Sequence, residues 1–317
     1  MKIPGLNKRN ILISVGLVLL VILVITIKTT SKETLQALKY AKPSFLFVAF
    51  LSWLSYILFD GLRFSLAAFS IEEENLDLLS AIKVITVGIF LAAVTPFQVA
   101  GLPVQILIMN RKKIGVGKAT AILAARGFIA YFTILLAVII SIKSIWPPPS
   151  GLVKGIIIYA TSLVVGLVFV YSLAIFAPKF LEKILKSKKI MNEIYSLRET
   201  TISFAKRSNK VTLTLALLSS FIAHISLCSI PYFLALAFNS PIKFIQAFSF
   251  QSLIQGGLMW TPTPGGTGIA EGIGLLIFKN YMESEILGLF VILWRFFTHH
   301  FAAIIGALFL IDEARKF

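Results

Sequence analysis

Apolar runs long enough to cross a bilayer recur along the chain, at roughly 11–27, 43–59, 78–95, 117–142, 151–177, 211–238, 241–260 and 285–311. Backbone in hydrocarbon has no water to bond, so runs of this length must satisfy themselves as helices. The pattern predicts an all-α polytopic membrane protein of about eight transmembrane helices, forming a single integral membrane domain over 1–317. Two shorter apolar pieces, 101–109 and 268–278, cannot cross a layer about 30 Å thick at about 1.5 Å per residue. Each follows a proline-containing break, Thr95-Pro96 or Thr261-Pro262-Thr263-Pro264-Gly265-Gly266. Each is therefore expected to be the returning arm of a re-entrant hairpin. Pro96 and Gly101 form one structural break, and Pro262 and Pro264 the other. Such breaks survive at membrane depth only where they are buried in protein or line a wet cavity, so both should face inward.

The distribution of basic residues orients this topology, because the cytoplasmic side collects lysine and arginine. With the N-terminus inside and both hairpins returning to the side they left, about 20 of the 30 basic residues fall inside and about 8 outside. Arg126 and Arg295 lie within apolar runs and belong to neither side. The hairpins then open from opposite surfaces, which makes the first half (about 43–142) and the second (about 211–311) an inverted repeat. Arg126 follows Thr95-Pro96, and Arg295 follows Thr261-Pro262, at similar intervals. Inverted repeats with discontinuous helices place a binding site between the halves in many transporters. Segment 178–210, rich in lysine among spaced apolar residues, reads as a basic cytoplasmic amphipathic helix at the membrane surface. Anchoring to anionic headgroups explains it without specific lipid recognition.

Composition agrees with the pattern. The chain is 57% hydrophobic and only 14% charged, with a mean hydropathy of +0.90, far from a water-soluble domain, in which about a quarter of residues are charged. A net charge of +16 could suggest nucleic acid, but the basic residues cluster between apolar runs, at the membrane surface, and no nucleic acid is expected. The single cysteine, Cys228, excludes an internal disulfide framework. Lys2, Lys8 and Arg9 before the run 11–27 resemble a secretory signal, but no small-residue cleavage pattern follows, so the run reads as a retained first helix.

The strongest local signal is Thr261-Pro-Thr-Pro-Gly-Gly-Thr-Gly-Ile-Ala-Glu271. Two prolines stop one helix and the glycines free the backbone before another begins near Gly268. The unpaired N–H groups of that new helix would favour a phosphate or carboxylate; a tight turn that only lets two helices pack is the plainer alternative. Glu271 reads as the sole acid deep in an apolar segment, where an ionised carboxylate costs a few kcal/mol unless paired. Arg126 and Arg295 are its expected partners. Two guanidiniums against one carboxylate would leave a positive charge for a phosphate headgroup, although buried charges can also serve as structural ties. His299, one turn beyond Arg295, would face the same side and could bond a headgroup. With His224 and His300 the only other histidines, no metal site is expected, and no hydrolase, kinase or nucleotide-binding signature is present.

At this motif, and at the Arg295 that follows it, the chain resembles the transmembrane region of lysylphosphatidylglycerol synthases and its stand-alone relatives. The shared pattern is Pro-Gly-Gly-x-Gly-x-x-Glu. Pro96, Gly101, Pro103 and the stretch from Arg111 to Arg126 are similar to the family's first half. The resemblance implies a flippase that moves aminoacylated phosphatidylglycerol between leaflets, without the soluble domain that makes the lipid. It carries over Pro264, Gly265, Gly266, Gly268, Glu271, Arg126 and Arg295 as site residues. Where many relatives have Gly-Gly-Glu-Pro this chain has Ala100-Gly101-Leu102-Pro103, and where they have Glu-Arg it has Ala125-Arg126. The acids of the first half are absent, so the lipid need not be lysylated.

The function expected is therefore a translocator of phospholipid headgroups in the inner or plasma membrane, with both termini cytoplasmic. Its substrate-binding residues would be Arg126, Glu271, Arg295, Gly265, Gly266, Thr267, Gly268 and His299. An anionic or aminoacylated phospholipid and the membrane are the expected partners; no cofactor or catalytic residue is expected, and a homo-oligomer is left open. A membrane enzyme acting on a lipid-linked substrate with Glu271 as acid or base, a transporter of another small anionic solute and a non-catalytic membrane adaptor are the alternative readings.

Overall fold

A computed structural model describes residue 39 and residues 41–70, 76–95, 100–145, 151–185, 187–207, 209–258 and 261–315. The expected first helix at 11–27 and Pro96 lie outside them. All regular structure among the described residues is helical, as apolar backbone in a bilayer requires.

Helix α1 (Pro43–Phe69), α2 (Leu78–Ala93), α3 (Gly101–Arg111) and α4 (Val116–Ile145) make up the first half. Next come α5 (Gly151–Phe176), the short α6 (Pro178–Ile184) and the polar helix α7 (Lys188–Arg207). The second half holds α8 (Lys210–Ala237), α9 (Phe244–Gly257), α10 (Ile269–Phe278), α11 (Ser284–Arg295) and α12 (Phe301–Arg315). Among the described residues four stretches are both long and apolar enough to cross a membrane: Pro43–Phe69, Val116–Ser141, Lys210–Ala237 and Ser284–Asp312.

Helices α1 and α8 pack antiparallel along their lengths. The Lys42 N–H donates to Ala237 O at 2.9 Å at one end, and the Asn209 N–H to Ser70 O at 2.7 Å at the other. Both short helices return to the side they came from. Helix α3 folds back on α2, with Gln105 Nε2 donating to Val84 O at 3.3 Å, and α10 ends where α9 begins, with Ser240 Oγ donating to Tyr281 O at 2.6 Å.

The apolar interior divides into two clusters, one around α2, α3 and the start of α4, the other around α8 to α11. Three long helices pass through both. Along α1, Ile57 belongs to the second cluster and Phe64 to the first; along α4, Leu123 belongs to the first and Ile134 to the second. On α8, Leu213 packs against the first and Leu227 lies in the second. Between these markers each helix carries polar side chains, Asp60 and Arg63 on α1, Arg126 and Thr133 on α4 and Ser220 on α8, and these meet in a layer between the two clusters.

Candidate functional site

That layer is an ion cluster. Asp60 is 1% exposed, and its carboxylate pairs with Arg63, one turn on along α1, and with Arg126 Nη2 from α4 at 2.8 Å. Arg63 Nη1 donates to Ser220 Oγ on α8 at 2.8 Å, and Thr133 Oγ1 approaches the same hydroxyl at 2.9 Å. Arg126 also lies over the Phe64 ring, 5.4 Å from its centroid. Arg126 and Ser220 each stand ten residues into their helices, about 15 Å along the axis, within the stretches long and apolar enough to cross a membrane. Among the described residues two guanidiniums face one carboxylate, leaving one positive charge in excess. The Nε atoms of Arg63 and Arg126 are shielded and have no partner among the described residues, and the Arg126 side chain remains 20% exposed.

The expected pairing of Arg126 with Glu271 is thereby corrected. Glu271 is not the sole acid at depth, because α1 continues ten residues beyond the point where its strongest apolar run stops. Asp60 and Arg63, just beyond the apolar run at 43–59, lie inside the helix.

The second site is the glycine–proline break. Pro264–Gly266 forms a single tight turn, and Gly265, Gly266 and Gly268 take φ values of +60°, +71° and +83°, a region open to glycine at little cost. Helix α10 begins immediately after Gly268, and its first turn is closed from within: Glu271 Oε2 accepts the Gly268 N–H at 2.6 Å. The helix N-terminus, expected to offer its amides to a ligand, is thus occupied by the chain's own acid. Glu271 Oε1 accepts from Arg295 Nε at 2.9 Å, and Arg295 Nη2 donates to Gly265 O at 3.0 Å. Arg295 therefore ties the turn before α10 to the carboxylate inside it.

After Arg295 the helix widens into a π-helical turn, Phe296–His300, before α12. This spacing aims successive residues at the break. A Cβ built on Gly265 would stand 2.6 Å from His299 Nε2 and 3.2 Å from Ala93 Cα, so both the π turn and the end of α2 close on one glycine. His300 Nε2 lies 4.0 Å from Glu271 Oε1, a contact that straight α-helical spacing did not indicate. The Oγ1 atoms of Thr263 and Thr267 and Nε2 of His299 are shielded and have no hydrogen-bond partner among the described residues. Gly265, Gly266, Thr267, Gly268, Glu271, Arg295 and His299 are thus gathered at one place, with Pro262 and Pro264 in the same break. Arg126 stands in the other cluster, and Gly101 packs against Gly88 O on α2.

Interrupted helices and two ion clusters inside an all-helical, multi-pass membrane protein define a class built around buried charge. The chain matches the lysylphosphatidylglycerol synthase TM region over residues 11–306 and belongs to that family. It is also similar to a UPF0104 membrane protein of Archaeoglobus fulgidus, 27% identical over 291 residues that cover 86% of this chain and 88% of the relative.

Proposed function

We propose that the protein carries phospholipid headgroups across the bilayer, with the Asp60–Arg63–Arg126 cluster holding the phosphate. The observation that carries this reading is the uncompensated guanidinium at membrane depth. A buried charge in excess is costly, and a phosphate accepting from Arg126 would neutralise it through charge-assisted hydrogen bonds. The Glu271–Arg295 pair and the turn it closes form the part that rearranges as the headgroup passes, while the acyl chains stay in lipid. The action is transport and involves no covalent step. The termini and helix α7 face the cytoplasm, where lysine and arginine gather, and an anionic or aminoacylated phospholipid is the cargo that suits the family.

Headgroup transfer in proteoliposomes, followed with a fluorescent anionic phospholipid and a membrane-impermeant quencher, tests the proposal. Arg126→Ala and Arg295→Ala should each lower the transfer rate at least tenfold while the purified variants keep their helix content. Transfer at the wild-type rate by a folded Arg126→Ala variant would reject the site.

A further inference from the structure

A second feature stands beside Arg126 on α4 but is lined by none of the residues of the two ion clusters. A cavity of about 370 Å³ opens between α4, α5, α7 and α8. Its long wall is one stripe of α4, Ala121, Ala125, Phe128 and Phe132, spaced to share a face. The alanines leave the space, and the Phe128 and Tyr171 rings, 5.5 Å apart between centroids, limit it. The hydroxyls around it are turned elsewhere. Tyr171 Oη meets Thr201 Oγ1 at 3.0 Å, and Thr214 Oγ1 donates to Lys210 O at 2.9 Å. What remains toward the cavity is hydrocarbon.

Position along α4 says what fits. The helix has 30 residues, about 45 Å, which matches a bilayer with its headgroups. The lining stripe starts five residues in, about 8 Å from the helix start, and ends sixteen residues in, about 24 Å and close to the helix midpoint. The groove thus runs from just beneath the headgroups to the bilayer centre, the depth of one leaflet, about 15 Å. At its shallow end the same helical stripes continue into lysine: Lys118 precedes Ala121 by three residues on α4, and Lys210 precedes Leu213 by three on α8. Both lysines are exposed, and Lys206 stands beside Ala205 at the end of α7.

We infer that this groove holds one acyl chain of an anionic phospholipid from the leaflet next to helix α7, with the lipid phosphate between Lys118 and Lys210. Depth selects an acyl chain, and the basic mouth selects an anionic headgroup. The site is one of residence and does not depend on transport through the ion clusters.

The test is lipid retention. Purified protein, stripped of lipid in detergent, is mixed with phosphatidylglycerol or phosphatidylcholine of the same chains, and bound lipid is counted by native mass spectrometry. The wild type should keep one phosphatidylglycerol with at least tenfold preference over phosphatidylcholine. The double variant Lys118→Gln with Lys210→Gln, altered only at exposed positions, should lose the preference. Ala125→Phe, which fills the groove, should lose both lipids. Equal retention of the two lipids by the wild type, or a preference that survives the double lysine variant, overturns the proposal. A cross-link from a photoreactive group at position 128 to residues 11–27 of the same chain would also overturn it, since the groove would then be filled by protein. None of these readouts involves transfer, so the outcome is separate from that of the translocation assay.

Discussion

Glu271 shows how much one side chain can be asked to do. It accepts the first amide of its own helix and holds Arg295, with the carboxylate and the guanidinium each 5% exposed. Removing one member of a buried pair leaves the other charge stranded, at a cost of about 3–5 kcal/mol. Glu271→Ala and Arg295→Ala should each lower thermal stability in detergent by an amount of that order, while the double variant should lose clearly less than the two single losses added. Additive losses would mean that the pair is not coupled. The charges were visible in the sequence, but their pairing was not. Glu271 has two candidate partners in the sequence, Arg126 and Arg295, because both guanidiniums fall within apolar runs, and of the two Arg295 pairs with it. Arg126 was matched wrongly because its true partner, Asp60, sits where the hydropathy of α1 dips, and a dip reads as a helix end. The regained apolar run Phe64, Leu66, Ala67, Ala68 and Phe69 was the available sign that the helix goes on.

Among the elements, long helices were legible because apolar runs in lipid have one regular solution, and the breaks because proline and glycine interrupt it. The π turn at Phe296–His300 was not, since an added residue per turn leaves no mark on an apolar pattern. Close helix crossings are also hidden until two segments are brought together. Gly306 on α12 lies against the Thr86 carbonyl of α2, where even a methyl group would collide with backbone. A small residue permits that approach. Gly306→Leu should push α12 off α2 and lower the melting temperature by several degrees, consistent with the roughly 1–3 kcal/mol of overpacking. Leucine introduced at Gly155 inside α5, where a Cβ would meet nothing, supplies the control and should not lower the melting temperature.

For the whole molecule, the two apolar clusters with a charged layer between them follow from the chain's order. Each hairpin gathers its own core, and α1, α4 and α8 run through both. The basic surface carries α7, the start of α4 and the start of α8, whereas the turn between α10 and α11 lies at the opposite end of α8, near Ser240. Cysteine placed at Lys188 should react with an impermeant maleimide from one side of the membrane, and cysteine at Lys279 from the other. The native Cys228 is buried and contributes little background. Labelling of both positions from one side would exclude the arrangement.

The amide that opens α10 already has an acid seated on it. An incoming anion at that point therefore cannot simply dock; it has to evict a carboxylate, which must then keep its grip on Arg295 alone. Occupancy there is a swap of one negative group for another, so whatever reaches the turn is traded against the chain's own side chain, and the turn loosens only while that trade is under way.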